Sequence, residues 1–187
     1  MAWIDNCIKT ASLRGFAIWF VILFVFSFWA FNMESPWTRA LELAGGKLPE
    51  MQPGIPAIEP VRSLRAMGDN TSDYLSWQVI DIPYAVMNLM VAWMGIGAGL
   101  KALRMEKSFL RFLMVLPPVY VGCELVENAL VASFASGTLS TSENFVLIQQ
   151  LATTLKFAAG TPALALGVIG ALITLFAAAF NMVRKRT

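Results

Sequence analysis

The chain has 187 residues, 57% of them hydrophobic and only 14% charged, with 14 Lys and Arg against 12 Asp and Glu for a net charge of +2. A soluble domain carries nearer 25% charged residues, so this shortage, with a mean hydropathy of +0.64, makes lipid the expected solvent and gives no reason to expect a nucleic-acid partner. The absence of His removes haem and most zinc sites, so no cofactor is expected.

Residues 2–12 place Trp3, Ile4, Cys7, Ile8 and Ala11 at helical spacing, which predicts a short helix lying on a membrane surface. An uncharged run follows at 15–33, between Arg14 and Glu34. A helix needs roughly 20 mostly apolar residues to cross ~30 Å of hydrocarbon. This run is longer than a signal peptide's apolar region, is full of Phe and Trp, and is followed by no small-x-small cleavage site, so it predicts an uncleaved anchor. Three more uncharged or nearly uncharged runs occupy 82–100, 112–134 and 157–183. The third span carries Glu124 and Glu127 within it. Cys7 precedes the first span and Cys123 falls inside the third, which argues against a disulfide. The predicted fold is all-α: a single domain over 1–187, a polytopic four-transmembrane-helix bundle with spans at about 15–33, 79–100, 112–134 and 155–181 and a long extracytoplasmic loop at 34–78.

Within the loop, Ser35-Pro36-Trp37 predicts a helix start and Gly45-Gly46 its end. Pro49, Pro53, Pro56 and Pro60 predict extended chain beyond it. Thr71-Ser72-Asp73 predicts the cap of a long helix that enters the second span and bends near Pro83, and the fourth helix is expected to begin near Glu143.

Basic residues set orientation. Lys9, Arg14, Lys101, Arg104, Lys107, Arg111, Arg184, Lys185 and Arg186 fall on one side of the predicted spans. On the other side the long loop holds Arg39, Lys47, Arg62 and Arg65 among six acids, and the connection at 135–144 has no basic residue. Both termini are therefore expected in the cytoplasm. Trp3 fits the inner interface, and Trp29, Trp37 and Trp77 the outer one, as an aromatic belt.

Four ionisable residues lie in the spans or at their edges: Asp81, Glu124, Glu127 and Lys156. At ~1.5 Å per residue all four fall in the half nearer the long loop or at its rim. Helical phase puts Asp81, Tyr84, Asn88, Ala92, Gly95 and Gly99 on one stripe of the second span. Tyr120, Glu124, Glu127 and Asn128 share a face of the third; Gln149, Thr153, Lys156, Gly160, Ala163, Gly167, Gly170 and Thr174 share one of the fourth. The stripes turn from polar to small, which predicts close packing of the second and fourth helices at one end and a polar pocket at the other. The expected binding residues are Asp81, Tyr84, Asn88, Glu124, Glu127, Asn128 and Lys156. The bland alternative is a buried ion pair that fixes helix register.

The segments Asp81-Ile-Pro-Tyr84, Glu124-Leu-Val-Glu127-Asn128-Ala-Leu130 and Leu155-Lys156-Phe157 resemble a set of bacterial four-helix membrane proteins. In that set an acid-x-x-Glu-Asn motif lies in the third span and a lysine heads the fourth. The resemblance covers roughly residues 72–180, and Glu124 stands where the set usually has Asp. It implies that Asp81, Glu124, Glu127, Asn128 and Lys156 act as a group, and it brings no activity with it.

Three functions compete. The first is a non-enzymatic binder of lipid or another hydrophobic molecule, or a helper subunit, with membrane lipid and other membrane proteins as partners. The second is an enzyme acting on a lipid or isoprenoid head group, with Glu124 or Glu127 as acid or base and Lys156 holding an anion. No catalytic triad and no metal site is apparent, although carboxylates alone suit magnesium or calcium. Ion movement ranks last, because no charged residue continues a path below Glu124.

Overall fold

A computed structural model describes residues 2–32, 34–56, 58–68 and 70–184. The predicted end of the first span at Met33, and the basic residues Lys185 and Arg186, lie outside the described residues. The chain is helical, with no strand among the described residues: α1 (Ala2–Thr10), α2 (Leu13–Asn32), α3 (Pro36–Leu43), α4 (Ile58–Met67), α5 (Thr71–Ala102), α6 (Leu116–Ala135) and α7 (Glu143–Arg184), with 3-10 turns at Pro49–Met51 and Phe109–Val115. Four of these helices, α2, α5, α6 and α7, belong to stretches long and apolar enough to cross a membrane.

Local chemistry explains the boundaries. Ser35 caps α3: its hydroxyl accepts from the Thr38 amide while the Thr38 hydroxyl accepts from the Ser35 amide, and Pro36 takes the first turn, where a missing N–H costs nothing. Gly45 and Gly46, at φ +65° and +81°, turn the chain out of that helix in the left-handed region a side chain disfavours. Two of the four prolines expected to hold the loop extended do not do so. Pro49 opens a 3-10 turn and Pro60 sits in the first turn of α4, because proline is compatible with a helix at its start. The third long helix begins at Leu116 rather than 112, since Pro117 and Pro118 fit only its first turn. The helix α5 runs through Pro83 as a single helix, and α7 spans 42 residues from Glu143, an acid suited to a helix N-terminus.

The chain divides into two compact units. The first comprises Met1–Leu23, Val86–Val119 and Ala159–Thr187. The apolar face of α1 is not spread on a membrane surface as its pattern suggested. Ile4 and Ile8 are buried with Ile96, Leu100 and Met114 in one core cluster, because neighbouring helices offer that face apolar contacts. Lys101 Nζ reaches the carbonyls of Lys9, at 3.2 Å, and of Ala11, satisfying acceptors where α1 ends. The small-residue stripes of α5 and α7 meet in this unit. A Cβ on Gly99 would stand 2.6 Å from the Gly170 Cα, one on Gly167 2.9 Å from the Ala92 Cα, and one on Gly95 would collide with the Gly167 carbonyl. The two backbones touch only because those positions lack side chains.

The second unit comprises Phe24–Ala85 and Tyr120–Ala158. Its apolar core joins Leu48, Met67, Tyr74, Val131, Phe134 and Val146, so the long loop is packed into the unit. Gln52 fastens the loop by donating to the Leu48 carbonyl at 2.8 Å and to Ser63 Oγ at 3.2 Å, and Gln150 donates to the Ile55 carbonyl. Trp77, expected in an outer aromatic belt, is only 2% exposed. Its ring packs against Trp37 at 4.8 Å and Phe31 at 5.8 Å, because the loop covers it.

Replacement of Gly99 by Leu is expected to lower the melting temperature of the purified protein sharply, since overpacking costs about 1–3 kcal/mol and here the colliding atoms are backbone. Gly122→Ala, where a Cβ meets nothing within 4 Å, serves as the control and is expected to melt no lower than the parent. Thermal melts of the two variants side by side check this.

Candidate functional site

The polar residues of the second unit gather from three helices through simple periodicity. Glu124, Glu127 and Asn128 lie three and four residues apart on α6, and Gln149, Thr153 and Lys156 do so on α7, so each trio shares a face. Asp81 comes from α5. All seven side chains are buried.

Lys156 is the hub. Its Nζ donates to Glu127 Oε2 and lies 3.3 Å from Glu124 Oε1. Glu127 is 0% exposed, and its other oxygen accepts from Thr153 Oγ1 and, at 3.3 Å, from Gln149 Nε2. Asn128 Nδ2 donates to Asp81 Oδ2 at 3.1 Å. The Asp81 side chain and the Tyr120 hydroxyl both lie close enough to Glu124 to interact with it. Of the residues singled out in the sequence, the structure thus joins Asp81, Glu124, Glu127, Asn128 and Lys156. The Tyr84 ring packs among Phe26, at 6.0 Å, and Phe31, at 5.6 Å. Asn88 is buried in the first unit.

One acid escaped the sequence analysis. Glu50, on the 3-10 turn of the long loop, is 5% exposed and accepts from Tyr74 Oη at 2.7 Å and Gln78 Nε2 at 3.2 Å. A single acid in a proline-rich loop carries no periodicity and is ordinarily solvated, so nothing local marked it. Burial pushes its carboxyl up from 4.5 to about 7; the Tyr74 bond opposes the rise, the charge of Glu127 adds to it and that of Lys156 offsets it. Glu50 is therefore electrically part of the cluster.

Donors are short around these acids. Four carboxyls (Glu50, Asp81, Glu124 and Glu127) face the one ammonium of Lys156. The carbonyl oxygens of Gln78, Asn128 and Gln149 are buried with no hydrogen-bond partner, although the amide nitrogen of each donates to a carboxylate. Four ionised carboxylates beside one cation are too costly in a medium of low dielectric. The site must therefore hold protons or take up a donor. Among the described residues, no group of three or more acidic or cysteine side chains is disposed to hold a metal ion. No family model matches the chain, and no curated protein or solved structure matches it.

Glu50 makes stability pH-dependent. Its folded-state value lies above the 4.5 expected of the unfolded chain, so the folded form holds its proton more tightly. The associated stability is complete below pH 4.5 and is lost as pH rises through about 7, a difference on the order of 3 kcal/mol at ~1.4 kcal/mol per unit. Melting curves across this range are expected to fall with pH in the parent, and Glu50→Gln should flatten that part of the profile.

Proposed function

We propose that this chain is an integral membrane protein of four spans in the bacterial inner membrane, with both termini cytoplasmic and the loop at 34–78 outside. We propose further that it binds a lipid or other hydrophobic molecule, or serves as a helper subunit for another membrane protein, without catalysing a reaction. Membership of the bacterial four-helix set that its motifs resemble is part of the same proposal.

The membrane reading is supported by surface chemistry. The helix α2 has the most exposed of the apolar stretches, with Phe24, Val25 and Phe28 each more than half exposed. Such a helix needs lipid to cover it. All seven described basic residues assigned to the cytoplasmic side fall in the first unit, and none falls in the second.

The binding reading is carried by one observation: the buried cluster has more acceptors than donors, with the amide oxygens of Asn128 and Gln149 unpartnered beside Asp81 and Glu127. A molecule offering an amine or hydroxyl group fits that deficit, because it satisfies oxygens that otherwise lose several kcal/mol of hydration. Catalysis is the weaker reading. Glu127 is fully buried and accepts from three side chains, and Lys156 is engaged by two carboxylates, which leaves neither ready to act on a substrate.

Topology is checked by labelling in a background where Cys7 and Cys123 are replaced by Ser. A membrane-impermeant maleimide is expected to modify Thr138→Cys in intact cells and Lys107→Cys only after lysis; the reverse pattern inverts the assignment. For the binding reading, protein purified in mild detergent is analysed by native mass spectrometry. The parent is expected to retain a hydrophobic ligand bearing an amine or hydroxyl, and Glu127→Gln to lose it at least about tenfold, equivalent to ~1.4 kcal/mol, at a temperature where its melting curve shows the variant still folded. A variant that keeps the ligand, or that melts far lower with no ligand in the parent, makes the cluster a structural device.

A further inference from the structure

A second site lies apart from the buried cluster, where α2 ends and α3 begins. Phe31, Asn32, Glu34, Thr38, Arg39 and Glu42 line an open cleft of about 640 Å³. That volume lies within the usual range for small-ligand sites, about 300–1,000 Å³. Arg39 and Glu42 stand three residues apart on α3 and so share a face, and Glu34 precedes the helix. The cleft is therefore lined by one guanidinium and two carboxylates. The Arg39 side chain is 55% exposed, and its contact with Asp73, at 3.6 Å, is longer than a hydrogen bond. Phe31 supplies an apolar wall. One and two turns back along α2, Phe28, Val25 and Phe24 are exposed. A single molecule that touched all of these would have an apolar tail along α2, an anionic group at Arg39 and a cationic group at Glu34 and Glu42.

We propose that this cleft is a head-group site for a zwitterionic phospholipid with a primary ammonium, as in an ethanolamine head group. The phosphate pairs with Arg39, whose planar fork of donors matches phosphate oxygens. The ammonium pairs with Glu34 and Glu42, and the acyl chains lie along the exposed face of α2. An anionic lipid without an amine is disfavoured because the two carboxylates outnumber the guanidinium and repel a further negative charge. A trimethylated ammonium is also disfavoured, because it has no N–H to donate to the carboxylates. This inference rests on the membrane-inserted reading given above.

The test uses the full chain in detergent, titrated with dioleoyl lipids bearing ethanolamine, choline or glycerol head groups and read by native mass spectrometry. The ethanolamine lipid is expected to be retained about tenfold over the other two. Arg39→Gln and Glu42→Gln are each expected to erase most of that preference, a loss in line with one charge-assisted hydrogen bond. Equal retention of the three lipids, or a preference unchanged in both variants, overturns the proposal. Free phosphoethanolamine is added as a competitor: failure to displace the lipid at millimolar concentration supports a membrane lipid as the occupant, and displacement overturns it in favour of a soluble ligand. Alkaline carbonate extraction of cell membranes separates the two levels of inference. Protein released by carbonate sinks the membrane reading itself, whereas protein retained in membranes but lacking lipid preference sinks only the head-group site.

Discussion

The second unit of this protein is organised by one ammonium shared between two carboxylates. Lys156 holds Glu127 and Glu124, which sit one turn apart on the same helix face and repel each other when both are ionised. Neither acid is tolerable in a buried setting without that cation or a proton, and the lysine is equally intolerable without the acids. The arrangement therefore fixes the rotation of α6 and α7: turning either helix by one residue, about 100°, strands charge among apolar side chains. Thr153 and Gln149 add donors to Glu127 from the same face of α7, and Asn128 ties Asp81 of α5 into the group.

The same electrostatics reaches the long loop. Glu50 lies far from the cluster in sequence, yet it is buried against Tyr74 and Gln78 of α5 and feels the charges of Glu127 and Lys156. The loop is held by more than this acid, through the apolar packing of Leu48 and Met67 and the amide bonds of Gln52 and Gln150. It is packed into the second unit, and its Trp37 and Trp77 join an aromatic group with Phe31 and Tyr84.

In the first unit cohesion has another source. The glycines of α5 and α7 bring two backbones into contact, so dispersion between closely packed atoms takes the place of polar pairing. A helix pair of this kind has no spare volume, whereas the acid–lysine group retains unpartnered oxygens. That contrast explains why the candidate for ligand binding lies in one unit and rigid packing in the other.

Composition and periodicity by themselves determined the helical class, the four apolar helices and the faces on which Glu124, Glu127, Asn128, Thr153 and Lys156 lie, because helical phase is a local property of 3.6 residues per turn. The glycine contact was legible for the same reason: Gly95 and Gly99 fall on one stripe, as do Gly167 and Gly170. The helix caps at Ser35 and the exit at Gly45 and Gly46 were equally local. Only the tertiary structure decided which partner each face received. It brought Glu50 into the acid group, buried Trp77 against Phe31 and Trp37 instead of leaving it in a belt, and turned α1 onto Ile96 and Met114. Each of these depends on contacts between residues distant in the chain, for which neither spacing nor propensity leaves a trace in the local sequence.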